Sequence, residues 1–180
     1  VGAGIPPQSI SKVLGVVKAY TSRVGEGPFP SEIRNELADF IREKGQEYGT
    51  VTRRPRRVGW LDFVALRYAK RINGFTGLAI TKLDVLSGLE KIKIVVGYKY
   101  QGKILDEFPS SLHILDKCEP ILEELPGWKE PLRNIKGLHE LPNTVFRYLE
   151  RIEKELETKI DIIGIGPERK DIIILRDPWL

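Results

Sequence analysis

The chain has 180 residues, of which 41% are hydrophobic and 30% charged, with a formal net charge of +4. This corresponds to one domain, or part of a larger one, with enough apolar residues for a packed core. The single cysteine, Cys118, excludes an internal disulfide, and no metal-ligand spacing surrounds it. Because no apolar run or signal peptide indicates a membrane partner, we expect a cytoplasmic location.

The first 77 residues alternate between strand-like and helical patterns. An apolar run at 13–20 predicts a buried strand, and a glycine- and proline-rich loop follows it at 21–30. Ser31 is predicted to cap a helix over about 32–44, which Gly45 ends. A second helix is predicted over 60–73, with Asp62 near its start and an apolar stripe that includes Val64, Tyr68 and Ile72.

The remaining residues continue the alternation. Strands are predicted at 78–80, 159–163 and 171–175, an antiparallel hairpin over 91–108, and a helix over 143–158. The proline-rich segment 109–136 is predicted to be irregular, with a short helix near 120–124. Together these elements predict an α/β fold whose mostly parallel sheet is flanked by helices and carries an antiparallel hairpin.

The loop at 49–62, GTVTRRPRRVGWLD, concentrates positive charge on a stiff backbone. It places four arginines in the five positions 53–57, interrupted only by Pro55. Pro55 fixes its own φ and pushes Arg54 out of the helical region. Because guanidinium groups match carboxylate and phosphate oxygens, the loop predicts an anion clamp. The alternatives are a solvated basic loop and a patch that holds nucleic acid by charge alone.

Two further loops suggest a nucleotide. In TKLD at 81–84, the Asp84 carboxylate could accept from N1–H and the 2-amino group of guanine, donors that adenine does not offer together. The stem of Lys82 could lie against the base. GIGP at 164–167 could offer backbone N–H groups to the guanine O6. These loops and 22–27 flank predicted strands, where open α/β sheets bind ligands. Taken singly, each could equally be an ordinary surface turn.

Taken together, collinear stretches over nearly the whole chain resemble the C-terminal part of the adenylosuccinate synthetases. These stretches are VLGVVKAYTSRVGEGPFPSE, GTVTRRPRRVGWLD, ITKLDVLSGLEKIK, the PGW at 126–128, LPNTVFRYLERIE and DIIGIGPERKDIIILRDP. The resemblance implies GTP-dependent ligation of L-aspartate to IMP through 6-phosphoryl-IMP, giving adenylosuccinate, GDP and phosphate in purine nucleotide biosynthesis. It also implies Mg²⁺ at the phosphates, a homodimer, and a fold related to the P-loop nucleotide-binding proteins.

The resemblance also implies that part of the active site lies elsewhere. The family's phosphate loop and its catalytic base and acid belong to an N-terminal half with no equivalent here. The chain begins at Val1 and contains no methionine. We therefore expect residues 1–180 to be the C-terminal part of a single domain, inactive alone, with no catalytic residue of its own and with the Mg²⁺ ligands upstream.

Carried over position by position, the resemblance assigns binding residues to each substrate. The aspartate and IMP side comprises Thr50, Val51, Thr52, Arg53, Arg54, Pro55 and Arg56, together with Val24 and Gly25, and Arg54 also contacts IMP. The GTP side comprises Arg56, Lys82, Leu83, Asp84, Gly164, Ile165 and Gly166. Three positions depart from the family: Val51 and Arg53 stand where threonine and glycine are usual, and Gly164 where serine is common.

Two other readings stay open as alternatives. A nucleic-acid-binding module would interleave aromatic and basic residues on one face, but Trp60 and Tyr68 are placed on the apolar side of the predicted helix. The 25 acidic residues also nearly balance the 29 basic ones, so we expect no nucleic acid partner. A guanine-nucleotide-binding protein without ligase activity would need a P-loop lysine motif, which this sequence lacks.

Overall fold

The centre of the fold is a four-stranded sheet, in a computed structural model that describes residues 2, 4–133 and 135–178. Strand β1 (Leu14–Lys18) pairs in parallel with β5 (Gly77–Thr81), which pairs in parallel with β9 (Ile160–Gly164). Strand β10 (Ile172–Ile174) runs antiparallel to β9. The predicted α/β class with a mostly parallel central sheet is confirmed.

A second sheet surrounds one long strand. Strand β6 (Lys91–Tyr100) pairs in parallel with β4 (Leu61–Asp62) and antiparallel with β7 (Lys103–Leu105), so the predicted hairpin is confirmed. Its other side pairs antiparallel with β8 (Glu119–Pro126). The hydrophobic core is continuous between the two sheets, because buried residues of both belong to one cluster.

The prediction for the region of β8 was wrong. The segment 109–136 was expected to be irregular with a short helix near 120–124, but its residues 119–126 form an eight-residue strand. The short helix α3 lies earlier, at Leu112–Asp116. In strand β8, Glu119 and Glu124 are exposed and Ile121 and Leu125 are half-buried, and Glu124 pairs with Lys91 across the sheet at 2.6 Å. Two prolines near the strand ends are acceptable because β8 pairs only with β6 among the described strands.

Helix α1 (Glu36–Gly45) starts later than predicted, and Asn35 rather than Ser31 caps it by accepting from the Leu37 amide at 3.2 Å. The residues before it are extended because they contact the ribbon of β2 (Thr21–Arg23) and β3 (Arg57–Gly59). Tertiary pairing therefore overrode the local helix signal in this stretch.

Helix α2 (Phe63–Asn73) also starts later, because its cap residue Asp62 belongs to β4. Only part of the predicted apolar stripe is buried, since Tyr68 and Ile72 are 40% and 60% exposed. Helix α4 (Asn143–Leu156) agrees with its prediction. None of the helices in the described part of the chain has the length and apolarity needed to cross a bilayer.

Asp62 joins α2 to the second sheet. Its Oδ1 accepts from the Ala65 amide at 3.1 Å, and its Oδ2 accepts from the buried Tyr98 hydroxyl at 2.6 Å. Burial raises the pKa of Asp62, although these donors partly counteract that rise. The carboxylate thus stabilises both the helix end and a buried hydroxyl.

We predict that Asp62→Ala lowers the free energy of unfolding by about 3 kcal/mol, because it removes a helix cap and leaves the Tyr98 hydroxyl unpaired. The exposed cap variant Asn35→Ala should lose only about 1 kcal/mol. Urea unfolding of both variants measures the difference. Equal losses would show that the Tyr98 contact contributes no stability.

Candidate functional site

Three parallel strands end at one edge of the central sheet. Lys18 at the end of β1 is in register with Thr81 at the end of β5, and β9 ends beside them at Gly164. The Ala19 amide also donates to the Thr81 carbonyl at 2.8 Å. The segments that follow these strands therefore emerge together, at the edge where α/β sheets bind ligands.

The arginine loop reaches this edge by another route, because it lies between α1 and β3. Its backbone is closed by two hydrogen bonds of 2.9 Å, from the Gly49 amide to the Arg54 carbonyl and from the Arg53 amide to the Gly49 carbonyl. Arg42 of α1 donates its Nε to the Arg56 carbonyl at 3.0 Å. The loop is thus anchored to the end of α1.

A buried carboxylate, Glu47, connects the arginine loop to the strand ends. Its side chain is 1% exposed, and its Oε1 accepts from Lys18 Nζ at 2.8 Å and from the Tyr20 hydroxyl at 2.7 Å. Its Oε2 accepts from Arg56 Nη1 at 3.2 Å, and Lys82 Nζ lies 3.7 Å from Oε1. Sequence analysis did not identify Glu47, which follows a helix end where a polar residue is ordinary.

The charges around Glu47 leave the edge positive. Burial alone would raise the pKa of Glu47, but hydrogen bonds from Lys18 and Tyr20 and the charges of Lys18 and Lys82 hold it below its usual value. Burial and Glu47 together raise the pKa of Tyr20 far above its ordinary value, so its hydroxyl stays protonated as a donor. Because three cations share this one carboxylate, the edge favours an anionic ligand.

The arginines of the loop differ in what they contact. Arg57 is held by Glu32 through two hydrogen bonds of 2.6 and 2.7 Å, so it supports the fold. Arg54 has a side chain that is 71% exposed, and it forms a 3.5 Å ion pair with Glu26, whose side chain is 92% exposed. Arg54 is therefore available to an anion, and its contact with Glu26 places the loop that carries Val24 and Gly25 beside it.

The Asp84 loop presents a carboxylate that lacks a partner. Asp84 is half-buried, and its side chain accepts no hydrogen bond from another residue in the described part of the chain. Burial raises its pKa, which the nearby charges of Arg133, Lys82 and Lys44 offset only in part. Leu83 beneath it is fully buried, which fixes the loop in place. Such an acceptor suits a ligand with paired donors.

The third loop packs against the second. A Cβ on Gly164 would lie 3.4 Å from the Thr81 Cα, so the ends of β9 and β5 are adjacent. A Cβ on Gly166 would come within 2.3 Å of Asp171 Oδ2, so only glycine fits there. The Ile165 amide already donates to the Asp171 carbonyl at 2.9 Å. A ligand would therefore meet Gly166 rather than the Ile165 N–H.

The predicted site residues thus form two neighbouring groups. Arg56 and Lys82 meet at Glu47, with Asp84 and Gly164 beside Lys82 and Thr81. The exposed residues Thr50, Val51, Thr52, Arg53 and Arg54 form the other group, on the side of Val24 and Gly25. No ion pair or hydrogen bond joins Arg54 directly to Asp84 among the described residues.

A model of the adenylosuccinate synthetase family matches residues 1–173 of the chain. The chain belongs to the adenylosuccinate synthetase family. It is 55% identical over 177 residues to the adenylosuccinate synthetase of Caldanaerobacter subterraneus and 58% identical over 175 residues to that of Caldicellulosiruptor bescii. These alignments cover 98% and 97% of the chain but only 41% of each relative. The chain thus spans about two-fifths of the length of the curated relatives it matches.

Solved structures agree with this family membership. The structure of fully ligated adenylosuccinate synthetase from Plasmodium falciparum matches 97% of the chain and 42% of its own length, with a TM-score of 0.93 and 45% identity. A cyanophage S-2L succinoaminodeoxyadenylate synthetase matches 98% of the chain and 37% of its own, with a TM-score of 0.50 and 19% identity, which indicates the fold alone. The expected relation to P-loop nucleotide-binding folds is consistent with these matches.

The family's Mg²⁺ does not fit residues in this stretch. Within residues 2, 4–133 and 135–178, no group of three or more histidine, cysteine, aspartate or glutamate side chains is arranged to hold a metal ion. Mg²⁺ takes oxygen ligands, usually one or two carboxylates together with substrate phosphates.

Arg53, which stands where the family usually has glycine, adopts φ 53°. This is the left-handed region that glycine enters readily and that costs other residues about 1–2 kcal/mol. Arginine therefore does not exclude the backbone course that a glycine would take at this position. Val51, another of the three departures, is 92% exposed and has an ordinary negative φ.

We predict that Arg53→Gly raises the free energy of unfolding by about 1 kcal/mol, because it relieves the left-handed strain. The matched change Val51→Gly in the same loop should instead be neutral or destabilising, because glycine only adds freedom to the unfolded chain there. Thermal unfolding of both variants compares them. A destabilised Arg53→Gly variant would mean that the arginine side chain stabilises the loop.

Proposed function

We propose that the protein containing this chain is an adenylosuccinate synthetase, a GDP-forming ligase that joins L-aspartate to IMP, and that residues 1–180 are the C-terminal part of its domain. The observation that carries the proposal is the half-buried Asp84 carboxylate, to which no other described residue donates a hydrogen bond, at the same sheet edge as the exposed Arg54. Family membership supports it. The proposal includes Mg²⁺, a homodimer and a cytoplasmic location.

Asp84 explains a preference for guanine. An ionised carboxylate accepts from N1–H and the 2-amino group together, and adenine would leave this half-buried acceptor unpaired, which is costly. Lys82 would lie along the base, Leu83 would hold the loop, and Gly164, Ile165 and Gly166 would close over the guanine. Because the Ile165 N–H is already used, the amide of Gly166 is the better donor to the guanine O6.

The arginine loop explains the binding of aspartate and IMP. Arg54 would bind an aspartate carboxylate and reach the IMP ribose, because its guanidinium is exposed and weakly paired. Arg56 would reach GTP from its position between Glu47 and Lys82. The other residues of this site would line the same loop: Thr50, Val51, Thr52, Arg53 and Pro55, with Val24 and Gly25 beside them.

These residues bind and orient, and the chemistry depends on parts of the protein outside this chain. GTP would phosphorylate the 6-oxygen of IMP, and the aspartate amine would then displace that phosphate. Mg²⁺ would neutralise phosphate charge when bound. The positive edge described here would hold the anionic reactants together, which raises the rate by positioning.

The activity can be tested with the full-length protein supplied with IMP, aspartate, Mg²⁺ and GTP, following the absorbance change as adenylosuccinate forms. Activity that requires all three substrates and prefers GTP over ATP supports the ligase. A folded protein that binds GTP selectively but forms no product would favour the guanine-nucleotide-binding alternative instead.

We predict that Asp84→Asn raises KM for GTP by about 10- to 100-fold and reduces the preference over ATP, because hydrogen bonds to a charged group contribute about 1.5–3 kcal/mol. Asp106→Asn, which changes an exposed aspartate directly after β7, serves as the control. If both nucleotides bind equally before and after the Asp84 change, the guanine assignment is wrong.

The pKa shift of Asp84 adds a pH test of the same assignment. Only the ionised carboxylate accepts from both guanine donors, and burial raises the pKa of Asp84. GTP affinity should therefore fall during acidification at a higher pH than an ordinary aspartate would give. Asp84→Asn should abolish this step in the pH profile.

We predict that Arg54→Leu raises KM for aspartate by about 10- to 100-fold, because a charge-assisted pair is lost, while KM for GTP changes little. Arg34→Leu is a matched control, since its side chain is 81% exposed and pairs, among the described residues, only with Glu32. Steady-state kinetics with varied aspartate measures the effect. An unchanged aspartate KM would exclude this role for Arg54.

A further inference from the structure

Glu47 is a buried residue whose single side chain contacts both Arg56 of the arginine loop and Lys82 of the Asp84 loop. Its position is fixed by backbone hydrogen bonds on both sides, because its amide donates to the Arg42 carbonyl and its carbonyl accepts from the Arg56 amide, each at 2.9 Å. It follows Gln46, which ends α1 in a left-handed conformation with φ 50°. The carboxylate is thus attached to a rigid segment.

The two oxygens of Glu47 serve different loops. Oε2 accepts a hydrogen bond from Arg56 of the arginine loop. Oε1 accepts one from Lys18 and forms an ion pair with Lys82 of the Asp84 loop. Lys82 also donates to the Gly45 carbonyl at 2.5 Å, which ties the Asp84 loop to the end of α1. Because the carboxylate is planar and fixed, the position of one loop constrains that of the other.

Removing the charge of Glu47 should loosen both loops at once. A carboxylate that is 1% exposed is held in place by its partners, and the loss of one member of such a group leaves the others uncompensated. Lys18, Arg56 and Lys82 would then repel each other. Their side chains remain about one-third exposed, so they can move towards solvent without unfolding the core.

We propose that Glu47 is a positioning residue that aligns the arginine loop with the Asp84 loop, so that the anionic substrate and the nucleotide are held in a fixed mutual arrangement. The statement that the two loops hold the anionic substrate and the nucleotide rests on the function proposed above. Glu47 itself contacts no reacting atom, because its oxygens are occupied by Tyr20 and the three cations.

The test compares Glu47→Gln with Glu155→Gln in the full-length protein. In Glu47→Gln, KM for GTP and KM for aspartate should rise together on the order of tenfold, as is typical when a supporting residue outside direct contact is lost. Glu155 also bridges two arginines, Arg67 and Arg151, but on helices outside the site. Its variant should lower the unfolding temperature and leave both KM values unchanged.

A second, milder variant keeps the proposal testable if Glu47→Gln fails to fold. Tyr20→Phe removes only the hydroxyl that donates to Glu47 Oε1, and it should raise both KM values by a smaller factor. If Glu47→Gln or Tyr20→Phe lowers stability while both KM values stay unchanged, or if only one KM rises, the positioning role is overturned.

Hydrogen exchange on the protein without ligands separates this proposal from the proposed function. In Glu47→Gln, the amides of residues 50–57 and 82–84 should both exchange faster, whereas Glu155→Gln should leave them unchanged. If both loops of the variant exchange faster but the wild-type protein has no ligase activity, the positioning role of Glu47 is supported and the substrates proposed for the loops are contradicted. Unchanged exchange with normal wild-type activity would reject the alignment alone.

Discussion

The parallel register of β1, β5 and β9 is the constraint on which the site depends. Leu78 and Ile80 of β5 and Ile163 of β9 are fully buried, and a slip of one residue would turn these side chains to the other face. Because the register is fixed, Lys18 and Thr81 lie level with each other where their strands end. The loops that follow are too short to diverge, so hydrophobic burial determines where polar residues meet.

Two carboxylates at this edge show opposite pKa shifts, and hydrogen-bond donors explain the difference. Glu47 is more deeply buried than Asp84, yet its pKa is lowered because Lys18 and Tyr20 donate to it. Burial raises the pKa of Asp84, because the nearby positive charges offset the desolvation only in part and no other described residue donates a hydrogen bond to its carboxylate. A satisfied buried carboxylate stabilises the fold, whereas an unsatisfied one costs stability that a ligand can offset. The two acidic residues therefore differ in role despite being neighbours.

The sequence predicted those features that depend on local pattern. The central strands, the hairpin and α4 follow from periodicity, and the Asp84 and Gly164 loops follow from their positions after strands. Strand β8 could not be predicted in this way, because its stability comes from pairing with β6 and from contacts such as Lys91 with Glu124. Nor could Glu47, since nothing within its segment indicates that Lys18 and Lys82, 29 and 35 positions away, converge on it. Long-range contacts of this kind are not encoded in a local window of sequence.

Backbone strain at the site gives a further criterion for function. Lys82 and Arg53 both adopt left-handed conformations, with φ 62° and 53°, where glycine would be less strained. For Lys82 the structure itself gives the reason, since its ammonium group contacts the Gly45 carbonyl and Glu47. Among the described residues, the Arg53 side chain makes no hydrogen bond or ion pair, although its amide donates to the Gly49 carbonyl at 2.9 Å. An observed backbone outlier of this kind is a reason to test the residue for function. The exposed side chains of Arg53 and Arg54 thus differ from those of Arg56 and Arg57, which form ion pairs with the buried Glu47 and with Glu32.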